Sequence, residues 1–300
     1  MLEGLSAFPP TPTDAEGTVQ AEALSRLIDR LATTAVDSIG LLGSTGGYAF
    51  LSREERRRAV EIAREAVDGR TPLIVGVGAL RTDAAEALAR DAKQAGADGL
   101  LLAPVSYTPL NDEEVYQHFL AVAEATDLPI VIYNNPGTTK FTFSPDLIGR
   151  LSQLPTVAAV KMPLPAGDDF AGEIADLRQR TPPGFSIGYS GDWGAAHALL
   201  AGADAFYSVV AGLLPKPALA LTRAAIAGDA EATLRLNAAF DPLWELFKQF
   251  GSFRVMYAIA AELDLFHAAP PRPVLPIPAQ ALPRVAAALE ALEALEALEG

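Results

Sequence analysis

A (β/α)8 barrel followed by a C-terminal helical extension is the fold that the sequence predicts, and three observations carry it. Short apolar runs alternate with amphipathic stretches up to about residue 228, the pattern of repeated strand–helix units around a parallel sheet. The runs number eight, enough for the sheet to close on itself. The tetrapeptide Ala-Gly-Ala-Asp occurs at Ala95–Asp98 and again at Ala201–Asp204, each time placing a C-capping glycine between a helix and the next strand.

The strands are expected at Leu5–Phe8, Ser38–Leu42, Leu73–Val77, Gly99–Ala103, Ile130–Tyr133, Val157–Lys161, Phe185–Tyr189 and Ala205–Ser208. They are short and mostly apolar without alternation, as strands buried on both faces are. Between them, helical periodicity covers Ala21–Ala35, Arg53–Val67, Thr82–Ala95, Asp112–Ala125, Asp168–Arg180, Trp193–Ala201 and Lys216–Ala227. Ser52 with Glu55 three residues on fits a capping box, and Thr82, Asp112 and Ser144 are expected N-caps.

These units form a barrel domain over residues 1–228, and residues 229–300 form the helical extension. Helices are expected over Ala230–Phe250, Ser252–Leu263 and from Ala279 onward. The proline-dense stretch Ala269–Pro278 reads as an extended connector. The final Leu-Glu-Ala repeat, Ala288 to Glu299, consists of strong helix formers. Its period of three winds the leucines around a 3.6-residue helix, and no function is assigned to it.

A formal net charge of −14 and a pI near 4.6 argue against nucleic acid and anionic membranes as partners, since both demand clustered positive charge. Cysteine is absent, which removes disulfides and thiolate chemistry. His118, His197 and His267 lack metal-ligand spacing, so no metal or other cofactor is expected. The apolar stretch from Ala195 to Leu214 is broken by Asp204 and by glycines, which argues against a membrane span. The N-terminal residues do not read as a signal peptide, making the cytoplasm the expected location.

Lys161 is the residue that most needs a reason, because it ends the buried apolar run Val157–Val160. Four other lysines, Lys93, Lys140, Lys216 and Lys248, lie beside polar, proline or helix-surface residues. A neutral lysine amine attacks a carbonyl to form a Schiff base, whose protonated form withdraws electrons from the neighbouring carbon. The alternative is a lysine that extends to the rim or pairs with Asp192. Asp192 itself reads as a helix N-cap, and Trp193 and Trp244 as packing residues.

The ends of barrel strands form the active-site face, so polar residues there are candidates. After the second strand, Gly43-Ser44-Thr45-Gly46-Gly47-Tyr48 can bring backbone N–H groups and two hydroxyls to a carboxylate; its alternative is a flexible turn. Tyr107 lies in a proline-stiffened loop after the fourth strand. Tyr133 ends the fifth strand, beside the one that ends in Lys161. Neighbouring strands lie about 4.8 Å apart, so both side chains can reach one point, making Tyr133 a candidate acid/base. Either tyrosine taken alone reads equally as a core residue. Thr138, Lys140, Met162, Leu164, Tyr189, Tyr207 and Ser208 flank the strand ends as a candidate specificity lining.

Together, Gly43-Ser44-Thr45-Gly46, Tyr107, Tyr133-Asn134-x-Pro136, Val160-Lys161 and Gly188-x-Ser190-Gly191-Asp192 resemble the dihydrodipicolinate synthase/N-acetylneuraminate lyase family. The resemblance implies that Lys161 forms an imine with pyruvate or another 2-oxo acid, with Ser44, Thr45 and Gly46 around the substrate carboxylate and Tyr133 shuttling protons. It also implies a relay of Thr45, Tyr107 and Tyr133, in which Tyr107 reaches a neighbouring subunit's site, and hence a homodimer or homotetramer. Synthases of the family carry arginine where this chain has Thr138, and Lys140 cannot reproduce that fork. Gly47 replaces a common glutamate, and Met162-Pro163 a polar pair. The expected activity is a Schiff-base lyase or aldolase. The alternatives are the family's synthase reaction of pyruvate with aspartate semialdehyde, a dehydratase or deaminase using the same imine, and a non-catalytic barrel that binds a small carboxylate.

Overall fold

The computed structural model describes residues 1–299, with side chains described through residue 294. Among these residues eight parallel strands close in chain order: β1 (Gly4–Ala7), β2 (Ser38–Leu41), β3 (Leu73–Gly76), β4 (Gly99–Leu102), β5 (Ile130–Tyr133), β6 (Val157–Met162), β7 (Ser186–Tyr189) and β8 (Ala205–Ser208), with β8 pairing back onto β1. Each expected strand is present within a residue or so of its predicted ends. Nearly every strand residue is buried, because one face meets the barrel interior and the other the surrounding helices.

The interior is a packed core, not a pore. Phe8, Ile74, Leu101, Val131, Tyr133 and Tyr207 fill it, while a larger core of aliphatic residues lies between strands and helices. Room for the Phe8 ring comes from Gly40, where an added Cβ would sit 2.1 Å from that ring. Gly76 is tighter still: its Cβ would lie 1.9 Å from the Leu42 carbonyl oxygen, so β2 and β3 approach closely only because the position is glycine.

The predicted helices also form, with informative differences at their ends. Ser52 accepts the Glu55 N–H at 3.2 Å, but the Glu55 carboxylate turns away to accept the Val19 N–H at 2.6 Å, leaving half a capping box. Thr82 is not a cap; Arg81 holds that position, and the Thr82 hydroxyl meets His118 Nδ1 at 3.0 Å. Asn111, not Asp112, caps the next helix and completes a capping box with Glu114. Ser144 caps as expected, accepting the Leu147 N–H at 3.1 Å.

Gly96 and Gly202 take φ of 93° and 96°, the left-handed conformation their motif predicts. The aspartates of the motif have a role that spacing does not reveal. Asp98 accepts the Leu73 N–H at 2.9 Å and Asp204 the Ile187 N–H at 2.7 Å, so each pins its loop to the preceding strand.

In the extension, the stretch expected as one helix from Ala230 to Phe250 is two, Ala230–Ala239 and Asp241–Phe250. Pro242 lies in the first turn of the second, where its missing N–H costs nothing. Helices Ser252–Glu262 and Leu282–Glu299 follow, joined by the proline-rich connector, which has neither helix nor strand from Ala269 to Pro278. Leu289 and Leu292 of the terminal repeat are buried with Val285 and Ala288; the repeat's later side chains and Gly300 lie outside the described residues. Among the described residues no helix is long and apolar enough to cross a membrane.

Candidate active site

A cavity of about 550 Å³ opens at the C-terminal ends of the strands, and Lys161 is in its wall. The lysine is carried on β6, 6% exposed, with Tyr133 of β5 and Gly188 of β7 as its partners in register. Its Nζ lies 4.4 Å from the ring centre of Tyr133, 5.7 Å from that of Phe8 and 6.0 Å from that of Tyr207. It makes no ion pair or hydrogen bond among the described residues. Burial therefore pushes the ammonium below the ordinary lysine range, and the charges of Tyr133 and Asp192 only partly restore it.

The alternative pairing with Asp192 is not found, for a geometric reason. Asp192 is buried, and its carboxylate accepts the Ser208 hydroxyl at 2.5 Å and the Val209 and Val210 N–H groups at 3.2 Å each. It was expected to cap its own helix; instead it opens the turn Asp192–Gly194 and anchors the chain that leaves β8. Burial raises its carboxyl above the usual range, against the pull of those three donors and of Lys161.

The Tyr133 hydroxyl bonds the Ser44 hydroxyl at 2.9 Å and accepts from Asn135 Nδ2 at 3.0 Å. Burial alone would raise this phenol. The nearby Lys161 charge, the hydrogen bonds with Ser44 and Asn135 and the neighbouring Thr138 hydroxyl outweigh it, and the net direction is down. The turn after β2 delivers Ser44 and a buried Thr45 to the cavity. Gly46 does not line it; a Cβ there would meet the Leu42 backbone at 2.9 Å, so this glycine lets the turn close on itself.

Of the remaining candidates, Thr138 and Tyr207 line the cavity, as does Leu164. Tyr207 presents its ring, and burial raises its hydroxyl, which has no hydrogen-bond partner among the described residues. Lys140 is off the cavity, its Nζ donating to the Gly137 carbonyl at 3.1 Å. Met162, Tyr189 and Ser208 lie behind the wall. Met162 meets the Asn134 amide at 3.4 Å, Tyr189 donates to Glu173 at 2.7 Å, and Ser208 is bound to Asp192. Tyr107 is 96% exposed and away from Tyr133.

Sequence reasoning missed several parts of the lining, Leu101 and Val209 among them. Phe8 follows β1 and closes the floor; Trp193, read as packing, faces the cavity and is 39% exposed. Gly251, Ser252 and Phe253 come from the extension, at the start of the helix Ser252–Glu262. Phe8 at a strand end could have been found by the rule that selected Tyr133. The extension residues carry no local signal, since only the folded chain brings them to the barrel mouth. Trp244 does pack as expected, stacked on Phe240 at 4.8 Å.

The sequence profile of the dihydrodipicolinate synthetase family matches residues 1–292. A 4-hydroxy-tetrahydrodipicolinate synthase from Alcanivorax borkumensis is 34% identical over 290 residues, covering 95% of this chain and 96% of that protein. The crystal structure of a dihydrodipicolinate synthase from Agrobacterium tumefaciens is 61% identical, with a TM-score of 0.96 over 97% of this chain and 98% of that one. A chloride-inhibited dihydrodipicolinate synthase from Acinetobacter baumannii, solved with pyruvate, is 28% identical, with a TM-score of 0.90 over 98% of this chain and 99% of that one. A (β/α)8 barrel with a C-terminal helical extension, similar over nearly its whole length to these synthases, is an enzyme of the class I lyase and aldolase type and not a passive binder. The chain belongs to the dihydrodipicolinate synthetase family.

Proposed function

We propose that this enzyme makes or breaks a carbon–carbon bond through an imine between Lys161 and pyruvate or a related 2-oxo acid. The observation that carries the reading is the setting of Lys161: a buried amine among three aromatic rings, without an ion pair among the described residues, one strand from the Tyr133 hydroxyl. Desolvation favours the neutral amine that adds to the carbonyl carbon. Loss of water from the adduct leaves the imine. Its protonated form accepts electrons when the adjacent methyl loses a proton, giving an enamine that can attack an aldehyde carbon. In the reverse direction the same sink accepts the electrons of the breaking bond.

Ser44 and Thr45 hold the 2-oxo acid's carboxylate, and Tyr133, bonded to Ser44, passes protons between the adduct and the substrate oxygen. The barrel, residues 1–228, supplies this chemistry, and the extension, residues 229–300, completes the wall through Gly251–Phe253. Tyr107, exposed on the single chain, acts in the site of a second copy, so the working form is a homodimer or a tetramer built from dimers. The cytoplasm is the proposed place of action.

Deuterium exchange at the pyruvate methyl in D2O tests the imine. Exchange in the wild type that disappears in Lys161→Ala supports it; exchange that survives the substitution rejects Lys161. A second reading, condensation of pyruvate with aspartate semialdehyde, is favoured by the names of the relatives. Turnover of that aldehyde separates the two, because a rate near zero with intact methyl exchange leaves only the broader reading.

A further inference from the structure

If Lys161 forms the imine, the rest of the cavity bears on what the imine meets. We propose that the second substrate is an uncharged aldehyde whose distal group is apolar and packs on Leu164, Trp193 and Phe253. Among the described residues that line the cavity, Lys161 is the only cation. The imine uses that group, and its positive charge is matched by the carboxylate of the 2-oxo acid. A second carboxylate would enter with no counterion, beside the buried Asp192. A carboxylate placed against apolar walls without a counterion is disfavoured.

The nearest candidates for a compensating charge do not supply one. Thr138 reaches the cavity with a neutral hydroxyl, which donates to the Asn135 carbonyl at 3.3 Å. Lys140 stands outside the lining on the Gly137 carbonyl. Ser252 begins a helix, but its partial dipole is far smaller than a whole missing counterion.

The apolar side is specifically built. Gly191 and Gly194 make a seat for Leu164, since a Cβ at either would lie 2.9 or 2.4 Å from that side chain. Phe253 is held by stacking on Phe50, with ring centres 6.2 Å apart and planes within 5°. A fixed leucine, a fixed phenylalanine and the ring of a partly exposed tryptophan are suited to an alkyl or aryl group; the indole N–H of Trp193 is their one hydrogen-bond donor, and it is neutral.

In the forward step the enamine carbon bonds to the aldehyde carbon, and the carbonyl electrons move to oxygen, which takes a proton from Tyr133. The iminium so restored is hydrolysed by water, releasing the product and the Lys161 amine.

The test is a matched pair of acceptors with pyruvate: 4-methylpentanal and 4-oxobutanoate, equal in shape but differing in charge. Borohydride trapping is run alongside. The wild type should show a kcat/KM for the neutral aldehyde at least about tenfold above that for the carboxylated one. Thr138→Arg, which places a cation at the rim, should shift the ratio of the two toward 4-oxobutanoate by about tenfold. A wild-type preference for 4-oxobutanoate or aspartate semialdehyde, or equal rates, with Lys161 still trapped overturns the substrate class and leaves the imine standing. A ratio unmoved in Thr138→Arg overturns it as well. No trapped adduct at Lys161 overturns the imine and this inference with it.

Discussion

Removing one oxygen atom, in Tyr133→Phe, separates chemistry from packing. The ring that lies 4.4 Å from Lys161 stays, and with it the burial of that part of the barrel interior. What is lost is the hydroxyl held by Ser44 at 2.9 Å and Asn135 at 3.0 Å. Two hydrogen bonds at about 1 kcal/mol each set the stability loss at about 1–2 kcal/mol. Loss of a positioned proton carrier lowers the rate by about 10²–10⁴-fold, equivalent to about 3–5 kcal/mol in the barrier. The kinetic effect therefore exceeds the stability effect, and kcat and kcat/KM should fall together. Steady-state kinetics with pyruvate and an accepted aldehyde, paired with urea denaturation, measures both. A kcat within about threefold of wild type refutes the role of Tyr133 in proton transfer. So does a rate loss fully explained by an unfolded fraction.

Other predictions concern charge and backbone. Imine formation needs the neutral amine, so its rate, followed by trapping across pH, should fall as pH drops through a Lys161 midpoint below the ordinary lysine value of about 10.4; a midpoint at or above that value contradicts the burial argument. Because Lys161 is depressed in the fold, the unfolded chain binds more protons below the unfolded pKa, and stability declines as pH falls through the folded value. Lys161→Met should abolish that dependence and raise the melting temperature at neutral pH, and an unchanged or lower value counts against it. Asp192→Asn removes a negative charge that favours the ammonium, so the trapping midpoint should move to lower pH; an upward move reverses the assigned sign. Gly76→Ala forces a Cβ onto the Leu42 carbonyl and should cost about 1–3 kcal/mol or more by denaturation, whereas a neutral effect would mean that β2 and β3 can part freely.

The barrel was legible because its strands are buried on both faces and so read as apolar runs, and because chain order alone sets Tyr133 beside Lys161 in a parallel sheet. The same logic reached Ser44 and Thr45, which follow a strand end. It failed where position depends on distant chain. Gly251–Phe253 reach the cavity only because the extension folds back on the barrel, and Tyr189 and Met162 flank strand ends yet turn behind the wall to meet Glu173 and Asn134. Local chemistry was misread where two polar residues compete, as Asn111 and Asp112 do for one cap. Asp192 was misjudged for a related reason: its carboxylate is taken by the backbone after β8. The break at Pro242 could have been read directly, since proline in a long helical stretch marks a first turn.

Covalent trapping shows whether Lys161 is the nucleophile. Protein incubated with pyruvate and borohydride is digested, and the peptides are weighed. A reduced pyruvate adduct is expected on the peptide containing Lys161, absent from Lys161→Ala. An adduct that persists in that variant, or none in the wild type, contradicts it.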